Sequence, residues 1–188
     1  MTPLEILGFV FGVSGVWLTI KEKVWCFPVG LVNVSISLYL FIQQQLYSDA
    51  VQQGVYIPLL FFGWYNWINY SKKNPLPVSR VDWRLASILL LCVIGLSYTM
   101  GSLFHHFTDA DVPYIDATAT ALSFAAQYLI AHKKIENWLL WIPVNILYIG
   151  IYFYKGLYLY MLRFTIYLVL AITGFGAWKK ELNAQQRV

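Results

Sequence analysis

Trp138, Trp141, Asn145, Tyr148 and Tyr152 fall at i, i+3, i+7, i+10 and i+14, which is one face of a helix. Flat rings around one amide can stack on a flat small molecule and hydrogen-bond its polar edge. A cationic ring would gain a further cation–π contribution of about 0.5–2 kcal/mol. Trp138 begins the run and could serve as an interface anchor instead; Trp141 and Asn145 lie deeper. In an earlier run Gln53, Tyr56, Leu60, Trp64 and Trp67 share a face, and Asn33 follows Pro28 in another. Asp116, Thr120, Ser123 and Gln127 stand at i, i+4, i+7 and i+11, a continuous polar stripe. Each of these groups could touch a ligand or, at about 0.6 kcal/mol apiece, tie helices together. Asp116 and Ser123 are candidate pathway residues.

The same inventory argues against an integral-membrane enzyme. No Ser-His-Asp, His-cluster or two-carboxylate arrangement is present, and no cofactor or metal is expected. His105 and His106 have no partner at metal-ligand spacing and read as loop. Cys26 and Cys92 both lie in apolar segments, so no disulfide framework is suggested.

The elements that position these faces are membrane spans. The 188 residues are 59% hydrophobic and 12% charged, with mean hydropathy +0.59. A soluble domain would carry about 25% charged residues. Apolar runs over 4–20, 24–42, 50–70, 83–100, 114–131, 135–154 and 157–178 have the length that crosses a hydrocarbon core of roughly 30 Å. The expectation is an all-α integral membrane protein with seven transmembrane helices. No Lys or Arg precedes Lys21, so the first run reads as a retained span. On it Gly8, Gly12 and Gly15 share a face with Glu5 and Thr19, as close helix packing requires. Pro28 should bend the second run. Residues 43–49 read as a polar turn, 71–80 as the clearest linker, and 179–188 as a polar tail.

The net charge of +4 sits in clusters between runs, so it is not a nucleic-acid signal. Lys21, Lys23, Lys72, Lys73, Arg80, Lys133, Lys134, Lys179, Lys180 and Arg187 fall on one side, with Arg84 just inside the fourth run; the other side has Lys155. This bias predicts an outer N-terminus and a cytoplasmic C-terminus. Arg163, within the seventh run, is expected to snorkel outward or else to pair with an acid such as Asp116 or Asp49.

The two ends of the chain match each other. Leu31-Val32-Asn33 matches Pro143-Val144-Asn145, and Gln45-Leu46-Tyr47 matches Gly156-Leu157-Tyr158. Glycine and tryptophan follow the two tyrosines after 16 and 20 residues, at Gly63 and Trp67 and again at Gly174 and Trp178. Residues 1–70 and 114–188 therefore read as a duplicated three-helix unit, joined by a linker and connecting helix over 71–113. An odd number of spans between counterparts makes the repeat parallel, with Asn33 and Asn145 as mates and the substrate between the halves.

With Gly30-Leu31-Val32-Asn33, Gln45-Leu46-Tyr47 through Gly63-Trp64-Tyr65, and Glu136-Asn137-Trp138-Leu139-Leu140-Trp141 through Asn145, the chain resembles the Pnu vitamin transporters over nearly its whole length. The resemblance implies a 3+1+3 fold like that of the SWEET sugar transporters and a homotrimer in the bacterial cytoplasmic (inner) membrane. It implies import of a water-soluble vitamin by facilitated diffusion, with trapping by a cytoplasmic kinase. Nicotinamide riboside is the first expectation, thiamine the alternative, and riboflavin a more distant one. The residues implied to hold the ligand are Trp138, Trp141, Asn145 and Gln53, to which the helical faces add Tyr148, Asn33 and Gln127. Trp64 and Arg163 are further specificity candidates. Leu60 and Arg163 depart from the riboside-type pattern, which bears on the substrate rather than on the fold.

Overall fold

A computed structural model describes residues 2–43, 47–71, 76–107, 112–154, 156 and 158–186. Gln45, Leu46, Lys72, Lys73, Lys155, Leu157 and Arg187, named above, lie outside the described residues. The described chain is seven helices: α1 (Pro3–Ile20), α2 (Cys26–Gln43), α3 (Tyr47–Ser71), α4 (Trp83–Phe107), α5 (Pro113–Ala131), α6 (Glu136–Tyr154) and α7 (Tyr158–Gln185). Five of them, α1, α2, α4, α6 and α7, are long and apolar enough to cross a bilayer. The other two, α3 and α5, carry the glutamines and the polar stripe, which lower their hydropathy and face inward.

Helix packing makes a ring. Among the described residues α1 packs on α2, α2 on α3, α3 on α5, α5 on α6, α6 on α7, and α7 back on α1. Helix α4 touches α5 and stands outside the ring. Its outer face exposes Ile88, Leu91, Ile94 and Tyr98. Small residues set the spacing, as the glycine face of α1 predicts. A Cβ on Gly15 would sit 3.7 Å from the backbone nitrogen of Gly30.

Several boundaries differ from expectation. Tyr47–Asp49 is the first turn of α3 rather than a loop, and Asp49 there complements the positive helix end. Helix α4 runs on through His105 and His106, which occupy its last turn. Tyr114 packs over Gly101, so the segment is helical rather than free. The expected tail continues α7 to Gln185, because Leu182 is buried in the core below it. Pro28 does not bend α2, since it lies in the first turn, where no helical partner is lost. Pro58 and Pro143 are the prolines inside helices, in α3 and α6.

The end of the ring that carries Lys21 and Lys133 is closed by edge-to-face aromatics and a partly buried ion pair. Phe27 and Trp67 meet edge to face at 5.0 Å, and Trp138 and Trp178 at 5.5 Å. Phe27 is admitted by Gly63, and Trp138 by Gly174, where a Cβ would stand 2.7 Å from the indole. Trp67 Nε1 donates to Ile130 O at 3.1 Å, and Trp178 Nε1 to Thr19 O at 3.2 Å. Glu22 and Lys133, 111 positions apart, form an ion pair at 2.8 Å. Both have positive φ (56° and 50°), and both follow the C-terminus of a helix. The hydrogen bonds Lys23 N to Leu18 O and Lys134 N to Leu129 O, each 2.9 Å, close these two corners in the same way.

The linker is held rather than loose where it is described. Ser79 pairs with the α5–α6 corner through its N to Lys133 O (3.1 Å) and its O to Ile135 N (3.0 Å). Lys133 Nζ also reaches Leu76 O at 2.8 Å. Lys133, expected as a loop charge that sets the orientation in the membrane, is therefore a buried structural cation.

Candidate functional site

The ring encloses a cavity of about 190 Å³ to which all six of its helices contribute. An apolar cavity of about 150 Å³ holds one benzene molecule, so this space suits a single ring with substituents. Trp138, Trp141, Asn145 and Tyr148 line it from α6, Gln53 from α3, Asn33 from α2, Gln127 from α5 and Arg163 from α7. Trp141 is half-buried, whereas Trp138 is 2% exposed and wedged on Gly174 and Trp178, so it forms the cavity floor.

Three expected site residues stand elsewhere. Trp64 packs on Phe61 at 6.4 Å and on the apolar core rather than facing the cavity. Asp116 lies half-buried in the first turn of α5, away from the cavity lining. Ser123 is fully buried one layer behind the lining and donates to Thr120 O at 2.7 Å.

The sequence reading missed the residue that joins three of the helices. Gln52, neighbour of the expected Gln53, is 5% exposed. Its Nε2 lies 2.9 Å from Ser123 Oγ on α5, 3.0 Å from Tyr148 OH on α6 and 3.2 Å from Tyr56 OH on its own helix. Tyr148 OH donates in turn to Gln52 Oε1 at 3.1 Å. The Gln52–Tyr56 spacing of i, i+4 was the available signal. Both glutamines line the cavity, so type and spacing alone do not mark which of them is the junction.

Arg163 does not snorkel outward. It turns into the ring, where Nη2 donates to Asn33 Oδ1 and Nε to Tyr167 OH, each at 3.2 Å. Gly12 on α1 leaves the room: a Cβ there would collide with Tyr167 OH and lie 3.0 Å from Asn33 Oδ1. Asn33 and Asn145, expected as counterparts, do different things. Asn145 Nδ2 donates to Trp141 O at 2.7 Å within its own helix, two residues beyond Pro143. Asn33 is a bridge to α7.

Aromatics complete the wall. Tyr148 and Phe164 approach to 4.6 Å, and Tyr152 stacks on Phe164 at 5.4 Å. Leu60 faces the cavity beside Gly30 and joins Val34, Phe27 and Ile130 in its apolar wall. Asp49 contributes an acid from the first turn of α3. The arrangement can stack a flat ring, hydrogen-bond its edge and meet charge of either sign. Among the described residues no group of three or more His, Cys, Asp or Glu could hold a metal ion.

Residues 2–180 match the family model described as nicotinamide mononucleotide transporter. The nicotinamide riboside transporter PnuC of Escherichia coli (strain K12) is 25% identical over 93% of this chain and 84% of its own length. The transporter of the same name from Neisseria mucosa is 29% identical over 95% of this chain and 73% of its own. The riboflavin/roseoflavin transporter RibM of Streptomyces davaonensis is 21% identical over 93% and 83%. A crystal structure of the vitamin B3 transporter PnuC superposes with TM-score 0.77 over 96% of this chain and 82% of that one, at 23% identity, and so shares the fold.

Proposed function

Since the chain belongs to the nicotinamide mononucleotide transporter family, a family of multi-pass membrane transporters, we propose that it imports nicotinamide riboside. The observation that carries the reading is the cavity within the ring, lined by Trp141, Asn145, Gln53 and Gln127. In this reading Trp141 stacks on the pyridinium, Asn145 and Gln53 bond its polar edge, and Asn33 and Gln127 line the path.

The reading extends to facilitated diffusion without ATP or ion coupling, with a cytoplasmic kinase trapping the vitamin by phosphorylation. It includes a homotrimer in the bacterial inner membrane, N-terminus outside and C-terminus in the cytoplasm. The apolar outer face of α4 is compatible with lipid or with a second copy.

A 3+1+3 parallel repeat of the SWEET kind, made of residues 1–70 and 114–188, belongs to the same reading. Support comes from pairs 111 positions apart that behave alike: Glu22 and Lys133, Phe27 and Trp138, Gly63 and Gly174, Trp67 and Trp178. Gln52 and Arg163 are such a pair, each bonded to a tyrosine four residues on. In that register Asn33 falls opposite Val144 rather than Asn145.

Arg163 favours a second reading, an uncharged flat ligand such as riboflavin. A cation held about 5 Å from a guanidinium at an effective dielectric of 20 is opposed by roughly 3 kcal/mol, and both nicotinamide riboside and thiamine are cations. Competition binding on purified protein decides between the candidates. Nicotinamide riboside displacing a bound probe more tightly than thiamine and riboflavin supports the proposal, and thiamine or riboflavin winning by tenfold overturns it.

A further inference from the structure

Arg163 has five N–H donors, and two of them go to neutral acceptors, Asn33 Oδ1 and Tyr167 OH. The Tyr167 ring lies 5.4 Å from its guanidinium carbon, so the group is stacked and oriented rather than free to swing. It faces the cavity from α7, while Asp49 faces the same cavity from α3. In the ring order α1–α2–α3–α5–α6–α7, those two helices stand opposite one another. Glu5, which lines a smaller neighbouring cavity together with Arg163, accepts from Thr2 N at 2.8 Å in the capping box of α1. The main cavity thus carries a base on one wall and an acid on the other, with aromatic rings between.

The complementary ligand is a zwitterion. A fixed positive ring suits the aromatic face and the acidic wall, and a carboxylate suits a guanidinium, which binds it through paired, charge-assisted hydrogen bonds. A carboxamide offers Arg163 a single neutral carbonyl, and its ring brings an unbalanced positive charge. We propose that the site takes the carboxylate analogue of nicotinamide riboside, a ribosylated pyridinium carboxylate, and that Arg163 selects it over the amide. The proposal rests on the reading of the cavity as a pyridine-riboside site. Tyr167 and Asn33 then act as positioning residues that aim the guanidinium.

The test is equilibrium binding of both ribosides to the purified full chain in detergent, with thiamine and riboflavin alongside. The wild type is expected to bind the carboxylate form about tenfold tighter than the amide. Arg163→Gln, which keeps a hydrogen-bonding side chain but no charge, is expected to bring the two within about threefold. Arg163→Lys should restore most of the preference. Equal or tighter binding of the amide by the wild type overturns the proposal, and so does an Arg163→Gln variant that weakens both ribosides by one common factor. If Arg163→Gln does not fold, the wild-type ratio and Arg163→Lys decide the matter. Failure of both ribosides while thiamine or riboflavin binds overturns the riboside reading itself, a different outcome from loss of the preference.

Discussion

Gln52 on α3 and Tyr148 on α6 hold each other through two hydrogen bonds, Nε2 to the hydroxyl at 3.0 Å and the hydroxyl to Oε1 at 3.1 Å. The same amide reaches Ser123 on α5, so three helices of the ring meet at one side chain. Gln52→Leu leaves Ser123 and Tyr148 without that partner in a buried layer. The expected cost is about 1–3 kcal/mol of stability, with riboside affinity falling as Tyr148 loses its position. Thermal unfolding in detergent measures the first and titration the second; an unchanged melting temperature would contradict the junction's role.

Trp141→Ala and Asn145→Ala should each weaken riboside binding by at least about tenfold, or roughly 1.4 kcal/mol. Trp64→Ala, away from the cavity, should leave affinity within about threefold. Titration of correctly folded variants checks this, and unchanged affinity for Trp141→Ala would move the pocket elsewhere.

The glycines of α7 separate packing from helix propensity. Gly174→Ala pushes a Cβ into the Trp138 indole and should destabilise by about 1–3 kcal/mol. Gly176, two residues on, has nothing within 4 Å, and Gly176→Ala should be neutral or stabilise by about 0.5–1 kcal/mol. Equal melting temperatures for the two variants would show that Trp138 is not wedged on Gly174.

Lys133→Met should be more damaging than Glu22→Gln. Lys133 has a side chain 7% exposed, and Glu22 one that is 25% exposed. Lys133 also holds Leu76 O and lies 4.8 Å from the centre of the Trp67 ring. Losing Lys133 orphans Leu76 O, the Trp67 contact and Glu22 together and should cost about 1–3 kcal/mol, whereas Glu22→Gln keeps a hydrogen-bonding group against the ammonium. Denaturant unfolding of the two variants checks the order; similar small losses would mean that the pair is solvated.

Much of this arrangement was legible in the chain. Hydropathy gave the all-helical membrane class, and helical spacing put Trp138, Trp141, Asn145 and Tyr148 together on the wall that the structure shows. What periodicity could not supply was partnership across the ring. Gln52 and Gln53 are indistinguishable by type, and only Ser123 and Tyr148, 71 and 96 positions away, mark which one is the junction. Arg163 was expected to seek water because a lone cation in a span is costly. The missing information was the small residue at Gly12, with Asn33 and Tyr167, which makes room for it inside. Lys133 looked like a topology charge because the sequence does not show that Glu22 comes to meet it.

The central claim is import of nicotinamide riboside through the ring. Uptake of labelled nicotinamide riboside into liposomes carrying the purified protein, with a riboside kinase and ATP enclosed, tests it most directly. The account predicts accumulation that depends on the enclosed kinase and falls at least about tenfold in the Trp141→Ala variant. Uptake no faster than in protein-free liposomes, by a correctly folded protein, would contradict it.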